Sequence, residues 1–293
     1  MPAPVVHTAD EGLSVVTSYV AQSPSFTLIT SSLIAMDPSV HALRSTATAF
    51  SRLFGEPAPL LGIVVTDMAG GGPSVAPASP PADLPVVTID AGGLTGMTDM
   101  DPAAALTSDV RLDAARAWMS EYAALWSVAL DDHGIAFASP QGGLIPRAAT
   151  LPDWLHVAVL SLLTEADSAD FDDSALSPAA TIPAGDLFRY RLSPWEAETF
   201  ESHLQRPSLT TAIATQDTDL ARMQTLSRFV QQSRSVLRYL RASQGDRAIG
   251  DLLGASVAGL DMDDILQRMP HPTTPEALEV DWRAWMTTQR AGR

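Results

Sequence analysis

The feature that most constrains the fold is a change in the spacing of apolar residues along the chain. Short β-prone runs occupy the first part: two lie within residues 12–30, and two more span 60–66 and 84–89. Beyond about residue 109, apolar residues recur every three or four positions, which is the period of an amphipathic helix. The sequence therefore predicts an α+β fold, in which a small mixed β-sheet with helices precedes a mostly helical C-terminal half.

Turn and capping residues predict where several helices begin and end. Asp37 and Pro38 open a helix that stops at Gly55, and a loop rich in glycine, proline and alanine occupies residues 68–85. Further boundaries are marked by Gly245, Asp261 and Thr274-Pro275. We predict a β/α N-terminal subdomain and a helical subdomain, with ranges 1–108 and 109–293, a first long helix at 109–130 and a helical tail at 205–293.

The charge of the chain excludes one class of partner. The net charge is −16, from 34 acidic residues against 18 basic residues. Such a surface repels the phosphate backbone, so we expect no nucleic acid partner. Cysteine is absent, which excludes disulfides and thiolate metal sites.

The apolar runs are too short to span a bilayer, which requires about 18 to 20 consecutive apolar residues. Residues 1–12 contain neither the basic region nor the apolar region of a signal peptide. As written, the chain is predicted to be cytoplasmic and not membrane-spanning. A chain truncated at its start would also be compatible with a periplasmic or extracellular location.

Several short motifs follow one another in the helical half. Residues 151–155 read L-P-D-W-L at the start of a predicted helix. The motifs of the tail are Gln232-Ser233, Tyr239-Leu240, Gly245, Leu252-Leu253, Leu278-Glu279 and Asp281-Trp282-Arg283. In order and spacing, these motifs resemble the gluzincin zinc metallopeptidases of the peptidase-MA-like type. The resemblance covers nearly the whole chain and implies a zincin-like fold.

The zinc motif of that family is where this sequence departs from it. The family places H-E-x-x-H on a helix ahead of L-P-x-W-L, and the segment that corresponds here, residues 120–124, reads S-E-Y-A-A. Ser120 and Ala124 therefore stand where the two histidines would be, and Val157 stands where the third ligand, a glutamate, would be. Only Glu121, the position of the general base, is kept. These side chains cannot replace two imidazoles and a carboxylate, so we expect neither a metal nor another cofactor.

Loss of the ligands in a chain that keeps the other motifs predicts a pseudopeptidase: a non-catalytic protein-binding or structural subunit of a larger assembly. The six histidines include no pair at i, i+4, and His156 adjoins the lost third ligand. An alternative is a metal-independent hydrolase rebuilt around Ser120, Glu121 and His156. A second alternative is a small-ligand-binding protein that uses the remodelled cleft.

Two surfaces are candidates for binding a protein partner. Arg234, Arg238 and Arg241 stand at i, i+4 and i+7, so they share one face of the long helix in the tail. This stripe is either a docking edge for an acidic partner or a solvated helix face. The other candidate is the former cleft, with a floor predicted to consist of Ser120, Ala124 and Val157.

Overall fold

The structure is a computed structural model, and it places most of the chain. The residues that it describes are 5–11, 14–30, 33–66, 84–90, 102–132, 151–164, 176, 181–205, 217–245, 247–257 and 259–291. Two compact units are present: residues 1–52 with 56–118, and residues 53–55 with 119–293. The loop predicted at 68–85 lies almost entirely outside the described residues.

The first unit contains a five-stranded mixed sheet with the strands in chain order. Its first three strands are antiparallel, whereas the third, fourth and fifth are parallel. The third strand is buried along its whole length, as expected for a central strand covered on both faces. The strands are β1 (Val5–Glu11), β2 (Ser14–Ser23), β3 (Phe26–Thr30), β4 (Leu61–Thr66) and β5 (Val86–Asp90).

The strand β1 was missed by the sequence reasoning. Residues 7–11 read H-T-A-D-E and have little β propensity, so no apolar pattern marks them. The segment becomes a strand because β2 supplies the backbone hydrogen bonds, in a register that pairs Val5 with Val20 and Glu11 with Ser14.

Two long helices begin earlier than predicted. The helix α1 (Leu33–Phe54) starts four residues before Asp37, so Pro38 lies inside it. Pro38 has no N–H to donate to the carbonyl of Ile34, so the helix lacks that one backbone hydrogen bond between its first and second turns. The helix α2 (Pro102–Asp132) starts seven residues before the predicted Asp109, because Pro102 suits the first helical position and three alanines follow it. The predicted subdomain boundary at 108 thus falls inside α2, and the two compact units divide after Trp118 in the same helix.

The second unit contains the remaining helices of the described residues. They are α3 (Asp153–Thr164), α4 (Ala184–Arg189), α5 (Pro194–Gln205), α6 (Asp217–Gln244), α7 (Ala248–Val257), α8 (Met262–Arg268) and α9 (Pro275–Ala291). The long helix α6 is central, because α3, α7 and α9 all pack against it. No helix of the described residues is both long and apolar enough to cross a membrane.

Three predicted helix boundaries of the tail are confirmed. Gly245 follows α6 with a φ of 101°, a conformation that favours glycine. Asp261 caps α8, since its carboxylate accepts a hydrogen bond from the backbone N–H of Asp264 at 2.8 Å. Thr274 precedes α9 and accepts a hydrogen bond from Ala277 N–H at 3.3 Å. The fold as a whole is α+β, as predicted.

Candidate functional site

The remnant of the zinc motif lies on α2. Ser120 and Glu121 are partly exposed, and Ala124 lies one turn further along the same helix. Tyr122, between them, is buried, and its ring packs on Phe54 at a centroid distance of 4.7 Å. The buried side of this helical turn thus packs in the core, through Tyr122.

Tyr122 also brings α2 close to α7. Its hydroxyl oxygen lies 2.5 Å from the point where a Cβ on Gly250 would be, which is closer than real Cβ contacts come. A side chain at position 250 would overlap the tyrosine hydroxyl, so the tyrosine or α7 would have to shift to accommodate it.

Val157, the counterpart of the third ligand, is 0% exposed and lies in the core. It belongs to α3, which packs along α6 and is buried over most of its length. The prediction that Val157 forms the floor of an accessible cleft is therefore wrong. The helix α3 is too central for this position to face solvent.

His156 is partly exposed on α3 and lines a pocket of about 270 Å³ in the second unit. The pocket lies between the start of α3 and the helix α5. Its apolar lining consists of Leu151, Leu192, Ala197 and Phe200, and its polar lining of Asp153, His156 and Glu201. Ser120 and Glu121 do not line this pocket, so it does not join the three residues of the hydrolase alternative.

Asp153 supports one wall of the pocket. One carboxylate oxygen accepts a hydrogen bond from the backbone N–H of Leu192 at 2.7 Å. The other oxygen lies 3.8 Å from the guanidinium of Arg191. The aspartate of the L-P-D-W-L motif therefore ties the start of α3 to the segment that leads into α5.

The segment before α5 is held by a second cluster, around Tyr190. The Tyr190 hydroxyl donates to Glu196 at 2.7 Å, and its ring packs on Phe229 at 4.6 Å. Burial, together with the hydrogen bond to Glu196 and the charge of that carboxylate, raises the pKa of Tyr190 to about 12.

Glu196 completes a capping box at the start of α5. Its carboxylate accepts hydrogen bonds from the backbone N–H and the hydroxyl of Ser193, at 2.8 and 2.7 Å. Burial acts to raise the pKa of Glu196, but the hydrogen bonds from Ser193 and Tyr190 and the charge of Arg222 outweigh it, so the pKa is lowered. The carboxylate is thus held in its ionised, hydrogen-bonded form.

The arginine stripe is not the continuous surface that the sequence predicted. Arg238 is exposed and Arg241 is partly exposed, but Arg234 is only 4% exposed. Residues 232–237 of α6 are all buried, so the middle of this helix is covered on every side. Helical spacing places the three arginines on one face, but a neighbouring part of the structure covers that face at Arg234.

The tail motifs form a polar clamp that sequence reasoning did not identify. Gln232 accepts a hydrogen bond from Ile182 N–H at 2.8 Å and donates one to Ile182 C=O at 2.6 Å. Glu279 accepts a hydrogen bond from the Ala184 backbone N–H at 2.8 Å. Arg283 donates to the Thr181 hydroxyl at 2.7 Å and pairs with Glu279 at 2.6 Å. The clamp, Gln232, Glu279 and Arg283, therefore fixes residues 181–184 against α6 and α9.

The residues at the remnant motif do not fit a zinc ion. Serine, alanine and a core valine stand where the resemblance requires ligands. Within the described residues, no group of three His, Asp or Glu side chains lies close enough to hold a metal ion.

Comparisons with protein-family models, with curated proteins and with solved structures find no match. The resemblance to gluzincins therefore stays a prediction.

Proposed function

We propose that this chain is a non-catalytic relative of the gluzincin peptidases that acts by binding another protein, as an accessory or structural subunit. The burial of Val157 in the packing of α3 supports the proposal most directly. A zinc site needs its third ligand on a surface that substrate and water can reach, and this position lies in the core.

The structural role of the tail motifs also supports this proposal. Gln232, Glu279 and Arg283 bind the backbone and side chains of residues 181–184 of the same chain. Residues that stabilise the fold would be kept even when the metal ligands are lost. This explains why the chain would retain the tail motifs without the zinc ligands.

The catalytic part of the proposal is tested by metal analysis. The protein, purified without chelators and dialysed, should contain far less than one zinc per chain by ICP-MS. It should also fail to cleave a peptide library when zinc is added. Stoichiometric zinc after dialysis, or zinc-dependent cleavage, would overturn the proposal.

The binding part is tested at the exposed end of the arginine stripe, at Arg238 and Arg241. A partner that co-purifies from the native host should be lost in the Arg238→Glu/Arg241→Glu variant, and its retention should fall with added salt. Arg234 is left unchanged, because a substitution at this buried position would disturb folding.

The matched control makes the same change in charge on a different helix, α1. Arg44 and Arg52 are exposed on α1, so Arg44→Glu/Arg52→Glu alters the net charge equally. If both variants keep the partner, or both lose it, α6 is not the interface.

A further inference from the structure

The last strand of the sheet, β5, has one edge with which no other strand pairs in the described part of the chain. It ends the order β1 to β5, and its ladder joins it to β4 alone. Residues 86–89 read V-V-T-I, a run with high β propensity and no charged side chain. An uncharged edge of this kind readily pairs with a further strand.

The ladder between β4 and β5 shows which backbone groups lie on the outer edge. The carbonyl of Pro85 accepts a hydrogen bond from Gly62 N–H at 2.8 Å, so it faces β4. Successive residues of a strand direct their backbone groups to opposite sides, and Val86 and Thr88 therefore face outward. Among the described residues, no hydrogen bond reaches the outward N–H and C=O groups of these two residues. The edge thus offers two donors and two acceptors to a further strand.

The side chains of the same two residues are also accessible. Val86 and Thr88 share one face of the sheet, and Val86 is 49% exposed and Thr88 is exposed as well. On the other face, Val87 is half-buried and Ile89 is buried. A strand added at this edge would therefore place its own side chains beside an exposed valine and an exposed threonine.

The charge of the first unit favours a basic partner. The unit contains eleven acidic residues against four arginines. Residues 53–110, which include β4 and β5, contain seven of these acids and no arginine, lysine or histidine. The four arginines all lie on the helices α1 and α2: Arg44, Arg52, Arg111 and Arg116. A positively charged segment is thus attracted to this unit, whereas a second copy of the chain brings the same excess of acid and is repelled.

We propose that β5 binds an extended, basic segment of a partner protein by strand addition. The segment pairs with the backbone groups of Val86 and Thr88, which supply the affinity, and its positive charge supplies the preference. The edge belongs to the first unit, whereas Arg238 and Arg241 belong to the second, so this inference does not depend on the binding site proposed above.

Two fluorescein-labelled peptides that differ only in charge test the class of partner by fluorescence anisotropy. They are K-V-T-V-T-V-K and E-V-T-V-T-V-E. The basic peptide should bind saturably with one site per chain, roughly tenfold more tightly than the acidic peptide at low salt, and added NaCl should reduce this preference. Equal binding of the two peptides, or no saturable binding of the basic one, would exclude the proposal.

Variants at position 88 test the role of the backbone. Thr88→Pro removes the outward N–H and leaves the ladder to β4 in place, because that ladder uses the alternate residues of β5. It should weaken binding of the basic peptide roughly five- to tenfold. The matched control Thr88→Val keeps the N–H and should change the affinity less than about twofold. Equal affinities of the two folded variants would contradict strand addition.

Variants at position 86 test the charge preference without altering the backbone. Val86→Lys should weaken binding of the basic peptide and Val86→Glu should strengthen it, each about two- to fivefold, the range for an exposed charge interaction. A change in the same direction for both variants would place the peptide elsewhere on the molecule.

Light scattering after size-exclusion chromatography distinguishes a partner protein from a second copy. The wild-type chain should be a monomer at every concentration. A dimer that Val86→Lys dissociates would assign this edge to self-association and overturn the proposal.

Discussion

At the scale of single residues, the Tyr122 hydroxyl lies so close to Gly250 that a Cβ at position 250 would be 2.5 Å from it. The tyrosine ring is buried against Phe54, so it cannot turn away from a new side chain on α7. The position of the tyrosine in the remnant motif thus has a packing role that the metal motif does not suggest.

Gly250→Ala should destabilise the protein by about 1 to 3 kcal/mol, because the new methyl group would overlap the Tyr122 hydroxyl. In the Tyr122→Phe background the nearest ring carbons are 3.4 Å away, which is ordinary contact, so the same substitution should be tolerated. Helix propensity would then favour alanine by up to about 1 kcal/mol.

Chemical denaturation of the two single variants and the double variant measures this coupling. A coupling energy of at least about 1 kcal/mol is expected between positions 122 and 250. Additive effects would contradict the close approach.

Tyr190 gives a prediction for alkaline pH. Its folded pKa of about 12 exceeds the value of about 10 expected in the unfolded chain. A raised pKa means that the unfolded chain loses the proton first. The stabilisation is thus complete below pH of about 10 and is lost as the pH rises towards about 12.

Urea unfolding at several pH values between about 9 and about 12 measures this loss. The wild-type protein should lose stability more steeply than Tyr190→Phe over this range. The comparison removes the contribution of Tyr239, whose pKa is also raised, chiefly by burial. Equal slopes for the two proteins would contradict the assignment.

At the scale of elements, α6 organises the second unit. Four consecutive polar residues, 232–235, lie in its buried middle turn. Gln232 binds Ile182, and the Ser235 hydroxyl accepts a hydrogen bond from the Trp282 indole N–H at 3.0 Å. Such partners satisfy the buried polar groups of Gln232 and Ser235, whereas the Ser233 hydroxyl has no hydrogen-bond partner among the described residues.

Gln232→Ala should destabilise the protein by about 2 to 4 kcal/mol, because it removes two hydrogen bonds and leaves two backbone groups of Ile182 unpaired. Gln231→Ala is the control. Gln231 makes a long hydrogen bond of 3.5 Å to Ser227 within its own helix, so its loss should cost less than about 0.5 kcal/mol.

Hydrogen exchange at the amides of residues 182 and 184 provides a local readout. Gln232→Ala should increase the exchange rate at residue 182 more than at residues of α9 remote from the clamp. Unchanged protection there would contradict the clamp.

At the scale of the whole molecule, the main feature is an excess of negative charge. The net charge is −16, and the acids are concentrated outside the tail: residues 206–293 contain 10 acids and 11 arginines, which leaves 24 acids and 7 arginines for residues 1–205. Self-repulsion of this kind opposes the compact state.

Added salt should therefore raise the thermal midpoint between about 0.01 M and about 1 M NaCl, where the Debye length falls from about 30 to about 3 Å. Repeating the scan near the isoelectric point, about pH 4.5, is the control, because the net charge then vanishes and the effect should shrink. A midpoint that falls with salt at pH 7 would mean that attractive ion pairs outweigh the repulsion.

The sequence by itself determined the α+β class, the four strands β2 to β5, the end of α6 and the starts of α8 and α9. These features follow from local spacing and from capping residues such as Asp261 and Gly245, whose effects reach only a few positions along the chain. The helix starts predicted at Asp37 and Asp109 have weaker local signals, and in the structure these helices begin earlier, at Leu33 and Pro102.

The tertiary structure alone decided which of the candidate residues are accessible. Helical spacing puts Arg234 in line with Arg238, but only the packing around α6 buries it. The Gln232 clamp joins residues 50 positions apart, and the bond from Asp153 to Leu192 that supports the pocket spans 39. Such contacts leave no periodic trace in the sequence, because they depend on how separate helices come together rather than on the order within any one of them.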